Sequence, residues 1–119
     1  MAVDEGLVEW VSESMEPLGN VTLRKMMGGA VLYLDGTTFA IVHDGELWLK
    51  ADAESNPVWD EAGHTDRFTV TFKDGTVDSM NYRRAPSDTY DDADALREWA
   101  GISVAAGLRA PKKKPKKKS

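Results

Sequence analysis

The chain contains no cysteine. Disulfides, thiolate metal centres and cysteine nucleophiles are therefore excluded, which fits a reducing compartment. Histidine is scarce, with only His43 and His64. The two lack the spacing of helical zinc ligands and have no third ligand beside them, so they read as surface histidines with no metal site. No apolar run approaches the roughly 20 residues needed to cross a bilayer. The acidic start "MAVDEGLVEW" lacks the basic and apolar regions of a secretory leader. The expectation is a cytoplasmic protein without membrane contact. No serine sits in a nucleophile elbow, and no carboxylate pair stands out for acid–base work. Gly28-Gly29 has neither P-loop nor dinucleotide-fingerprint spacing, so it reads as a bend or bulge. The aspartates of "DTYDDADA" lack the glycine and alternating oxygens of a calcium loop. Neither enzyme activity nor a cofactor is expected.

What is present fits one small folded domain. The 119 residues are 41% hydrophobic, enough to build a core without covalent staples. The net charge of -5 hides two populations. Six of the 15 basic residues are Lys112, Lys113, Lys114, Lys116, Lys117 and Lys118, in "PKKKPKKKS". The remaining nine face 20 acidic residues, so residues 1–110 carry -11. Residues 1–109 read as the folded domain. Residues 110–119 read as a disordered tail, because repelling lysines and two prolines offer nothing to bury. An acidic body repels nucleic acid, so any such contact starts at the tail, as weak, salt-sensitive attraction. The tail reads equally as a solubility extension.

Asp-Gly recurs at Asp35-Gly36, Asp44-Gly45 and Asp74-Gly75. This pair tolerates the positive φ of a tight hairpin, and short β-branched and aromatic runs flank it each time. The runs are Val21–Met27, Ala30–Leu34, Thr37–Val42, Glu46–Lys50, a strand alternating Phe68, Val70 and Phe72, and Thr76–Tyr82. Phe39 and Ile41 are expected to share a face, as are Leu32 with Leu34 and Leu47 with Leu49. A first helix capped by Asp4 carries Leu7, Val8, Val11, Met15 and Leu18 at helical spacing. A short second helix starts from Asn56-Pro57, with Asn56 as its cap and Pro57 in its first turn. A third follows the aspartates near 88–94 and buries Leu96, Trp99 and Ile102 or Ser103. The predicted class is α+β, two-layer, with an antiparallel sheet of about five or six strands and helices packed on one face.

Such a sheet leaves its second face less covered. Tyr33, Trp48 and Tyr82 are the candidate contacts there, for a protein partner or a second copy of the chain. Arg83 and Arg84 lie beside a proline and offer two guanidinium groups for a carboxylate or phosphate, with Arg24 and Lys25 as further candidates. A small-molecule or anion-binding domain using the Tyr82–Arg84 loop is thus the alternative function. The structural reading of these arginines is ion pairing with Asp88 or its neighbours.

The stretch "RKMMGGAVLYLDGTTFAIVHDGELWLKAD", together with "MNYRRAP", resembles the N-terminal domain of the TfoX/Sxy family. The similarity is carried by Met26, Gly28, Gly29, Leu32, Tyr33, Asp35, Gly36, Phe39 and Ala40, and then by Asp44, Glu46, Leu47, Leu49, Lys50 and Asp52. Met80, Tyr82 and Pro86 continue it, and it spans roughly residues 5–107. Met27 and Asn81 depart from the family's usual aromatics. The resemblance implies a secretion-chaperone-like α+β domain and no catalytic residues. It also implies a role in regulating natural competence alongside the cyclic-AMP receptor protein. Full-length regulators carry a further helical domain, whereas here the lysine tail follows. The expectation is a non-enzymatic accessory transcriptional regulator or protein-interaction adaptor.

Overall fold

A computed structural model of the chain describes residues 5–26, 29–71 and 73–110. Asp4, Met27, Gly28, Phe72 and the six tail lysines, all invoked above, lie outside the described residues.

Six strands form one antiparallel sheet in the order β1-β2-β3-β4-β6-β5. They are β1 (Val21–Met26), β2 (Gly29–Leu34), β3 (Thr37–His43), β4 (Glu46–Lys50), β5 (Arg67–Thr71) and β6 (Val77–Arg84). The helices are α1 (Glu5–Met15), α2 (Asn56–Glu61) and α3 (Ala93–Arg109), with a 3-10 turn at Ser87–Tyr90 before α3. The α+β class and the antiparallel sheet are as the sequence predicts. Asp35 and Gly36 have φ of 49° and 88°, and Asp44 and Gly45 have 54° and 78°. Positive φ at both central residues is the hairpin turn whose twist matches its strands. The third Asp-Gly differs. Thr71 pairs with Val77 across a longer loop, and Asp74 Oδ1 accepts from the Thr76 amide and hydroxyl.

The main core lies between the sheet and the helices. Leu7, Val8, Val11 and Met15 of α1 meet Leu32, Leu34, Leu47 and Leu49 of the sheet and Leu96 and Ala100 of α3. Leu18 is 48% exposed, because α1 ends at Met15 and the apolar stripe ends with it. The α3 stripe is Leu96, Ala100, Ser103 and Ala106, with Trp99 and Ile102 packed at its border. Asp92 caps α3, accepting from the Asp94 and Ala95 amides. Gly107 lets α3 approach the start of β3. A Cβ there would stand 2.4 Å from the Thr38 carbonyl oxygen, nearer than any side chain tolerates.

Phe39 and Ile41 do not share a face. The β2–β3 register slips between Leu32 and Tyr33, which pair with Ala40 and Thr38, so Phe39 is the extra residue of a β-bulge. Phe39, Ala40 and Val42 enter the main core, and Ile41 turns to the second face.

That second face is not simply bare. Adjacent strands lie about 4.8 Å apart, so a flat sheet would hold β5 about 14 Å from β3. Yet the Phe68 ring of β5 lies 5.3 Å from His43 of β3 and 5.5 Å from Trp48 of β4. The sheet therefore curls β5 over its own second face. Ile41, Trp48, Phe68 and Tyr82 form a small second core there, with Val31 and Met80 against it.

Candidate functional site: the open side of the sheet

The candidate residues fall into two groups at opposite sides of the sheet. One group, on β4 and β6, is engaged within the fold. β6 continues through Arg84, so Arg83 and Arg84 are strand residues rather than loop residues, and their side chains leave on opposite faces.

Arg83 points to the helix side and is fully buried. Its Nη1 donates to Asp60 Oδ1 at 2.7 Å and to the His64 carbonyl at 2.8 Å. Its Nη2 donates to Asn56 Oδ1 at 2.8 Å, and its Nε to Asn81 Oδ1 at 3.1 Å. Asn56 Oδ1 also accepts from Asn81 Nδ2 at 3.0 Å. One planar guanidinium thus ties α2 and the segment after it to the sheet. Its partner is not Asp88, because a strand side chain on this face meets α2. Asn56 is not the helix cap expected from the sequence. Ser55 occupies the cap position, and the Asn56 side chain turns to Arg83 instead. Asn81 is the other side-chain amide of this network.

Arg84 points to the second face. It bonds Glu46 at 2.5 Å and Asp66 at 3.3 Å, and its guanidinium lies 4.6 Å from the Trp48 ring centroid. Lys50 lies over the Tyr82 ring at 5.3 Å. Trp48 and Tyr82 do lie on the second face, but they are 7% and 6% exposed. The curl of β5 and these two cations cover them, which corrects their assignment as exposed contacts. Burial pushes the Tyr82 hydroxyl up to about 12, and the nearby Tyr33 adds to the shift.

The other group is open. β1 is a sheet edge, and Thr22, Leu23, Arg24 and Lys25 are four exposed residues in succession. Tyr33, half-buried, is paired with Thr22 and shares the second face with Arg24, whereas Lys25 leaves on the helix side; β1 is four strands along the sheet from the β6 that carries Arg83 and Arg84. Neither Arg24 nor Lys25 makes an ion pair among the described residues. The Asp35 amide donates to the Asn20 carbonyl at 2.9 Å, which fixes the phase of the β1–β2 ladder. Residues alternate between bonded and non-bonded pairs in an antiparallel ladder. Thr22, Arg24 and Met26 therefore bond inward to β2, while Val21, Leu23 and Lys25 direct their N–H and C=O groups outward from the sheet. Sequence reading found Arg24 and Lys25 but missed the edge. Strand order depends on long-range pairing, which no local pattern in β1 announces.

Beside this edge, the seam between α1 and β1 is open. Glu5, Val8, Glu9, Leu23 and Lys25 line a cleft of about 330 Å³. A second, of about 190 Å³, lies against Ser12, Glu13, Glu16, Gly19, Asn20 and Val21. Among the described residues there is no cluster able to hold a metal, and no helix is long and apolar enough to cross a membrane.

Protein Sxy of Escherichia coli (strain K12) is 30% identical over 105 residues, which cover 82% of this chain and 46% of that protein. The chain thus spans about half the length of this curated relative. The TfoX N-terminal domain matches residues 5–107, taking in every strand and nearly all of α3. The chain belongs to the TfoX N-terminal domain family.

Proposed function

We propose that this domain is a non-enzymatic protein-interaction module serving transcriptional regulation of the competence type. In this reading the folded body engages protein, and the lysine tail adds weak, non-specific attraction to nucleic acid. Family membership supports the regulatory class. The single observation that carries the reading is the contrast between the two sides of the sheet. The β6 arginines are bonded within the fold, whereas β1 presents four exposed residues in succession along a free edge. A free edge with outward-pointing amides is a surface for a polypeptide rather than a pocket for a small substrate.

The tail's share follows from charge. A body at -11 repels DNA, so retention depends on Lys112, Lys113, Lys114, Lys116, Lys117 and Lys118. The full chain is expected to be retained on immobilised duplex DNA at low salt and released steeply as salt rises. Removing residues 111–119 is expected to abolish retention. Retention unchanged by that truncation would refute the tail's role.

A further inference from the structure

The free edge and the seam beside it together specify a partner. Val21, Leu23 and Lys25 point their backbone groups away from the sheet and their side chains toward the helix layer, since Leu23 and Val21 pair with the core residues Leu32 and Leu34. A strand added outside β1 would find three residues' worth of donors and acceptors already in register. Its helix-side residues would drop into the α1–β1 seam. The floor there is apolar, built from Val8 and from Leu23, which is 42% exposed. The wall is α1, whose Glu5, Glu9 and Glu13 recur every four residues, followed by Glu16 just past the helix end. All four are exposed, and none makes an ion pair among the described residues. Among the described residues, Lys25 is the one basic residue lining the seam.

We propose that β1 accepts, as a seventh strand, an extended basic segment of a partner protein that alternates apolar and Lys or Arg residues along the α1–β1 seam. Backbone pairing gives the edge its appetite for a strand, and the glutamate wall selects a basic one. A second copy fits less well. Pairing β1 with its own twin would bring two glutamate walls together over one seam, and like charges brought face to face oppose association. This inference rests on reading the domain as a protein-interaction module and names the partner's chemistry.

The test is amide hydrogen exchange on the full chain with a ten-residue peptide alternating valine and lysine. The peptide is expected to slow exchange at Val21, Leu23 and Lys25 by at least about tenfold while Thr22 and Arg24 change little. A valine–glutamate peptide is expected to leave exchange unchanged. The double substitution Glu9→Lys with Glu13→Lys, on the exposed face of α1, is expected to weaken the valine–lysine peptide by at least about tenfold. Binding that survives N-methylation of the peptide's pairing amides, or that leaves the three β1 amides fast, would overturn the proposal by showing charge attraction without strand addition. Protection of these amides without peptide would also overturn it, pointing to a second copy if it rises with protein concentration and to the chain's own tail if it vanishes on removing residues 111–119. Failure of the peptide with tail-dependent DNA retention intact removes the seventh strand alone; loss of that retention bears only on the function proposed above.

Discussion

Arg83 shows how a single side chain can be misjudged from its neighbours in sequence. "RRAP" suggests two cations at a loop, equally ready to meet an anion. Strand alternation separates them, leaving Arg83 fully buried with four hydrogen bonds and Arg84 on an aromatic face. Removing the Arg83 guanidinium strands the partly buried acceptors of Asn56, Asn81 and His64 and empties a fully buried side-chain site. Arg83→Ala is therefore expected to destabilise the fold by about 2–4 kcal/mol. Arg83→Lys should recover less than half of that, because an ammonium cannot fork to four acceptors in one plane. Urea denaturation of the three proteins decides it, and a lysine variant as stable as the native chain would contradict this account. Phe39 carries the same lesson. Apolar alternation placed it beside Ile41, and one inserted residue sends the two to opposite cores. A bulge is set by the partner strand, so the strand's own sequence does not disclose it.

Elements were legible wherever local chemistry determines them. Two of the three Asp-Gly pairs adopt the positive φ that the residues suggest, and the strands they join begin and end within a residue or two of expectation. Asp92 caps α3 from the midst of the aspartates assigned to that helix start. The far end of α3 was less legible, because Gly101 and Gly107 weaken a helix in isolation. Packing against β3 makes Gly107 necessary, and an ion pair fastens the end. Arg109 grips Asp52 through Nε and Nη2 at 2.8 and 2.9 Å, with Glu54 at 3.2 Å. The Arg109 guanidinium holds the Asp52 carboxyl well below the usual carboxylate range, against partial burial and with help from Ser55. A depressed folded value contributes stability that is fully present above the unfolded carboxylate's value of about 3.9 and is lost as pH falls through the folded one. Arg109→Ala is thus expected to lower the melting temperature at pH 7, modestly because the pair is partly exposed, and to lower it less at pH 3, where the unfolded carboxyl binds a proton that the folded one does not. Thermal melts of both proteins at the two pH values check the sign. A gap that persists or widens in acid would contradict it.

At the scale of the whole molecule, the class and the antiparallel meander followed from the residues, while the site did not. The sequence pointed to a bare second face at Trp48 and Tyr82. The curl that lays Phe68 over that face covers both, and the accessible surface shifts to β1 and the α1–β1 seam. Curl and strand order arise from contacts between distant segments, so hydropathy patterns within single strands are silent about them. The account rests on β1 being an edge open to a partner in the free protein. Amide hydrogen exchange of the uncomplexed chain tests this most directly. Val21, Leu23 and Lys25 are expected to exchange rapidly, and Thr22 and Arg24, bonded to β2, to exchange at least about tenfold more slowly. Uniform protection along Val21–Met26, independent of concentration and of the tail, would mean that the edge is already closed, and would contradict the account.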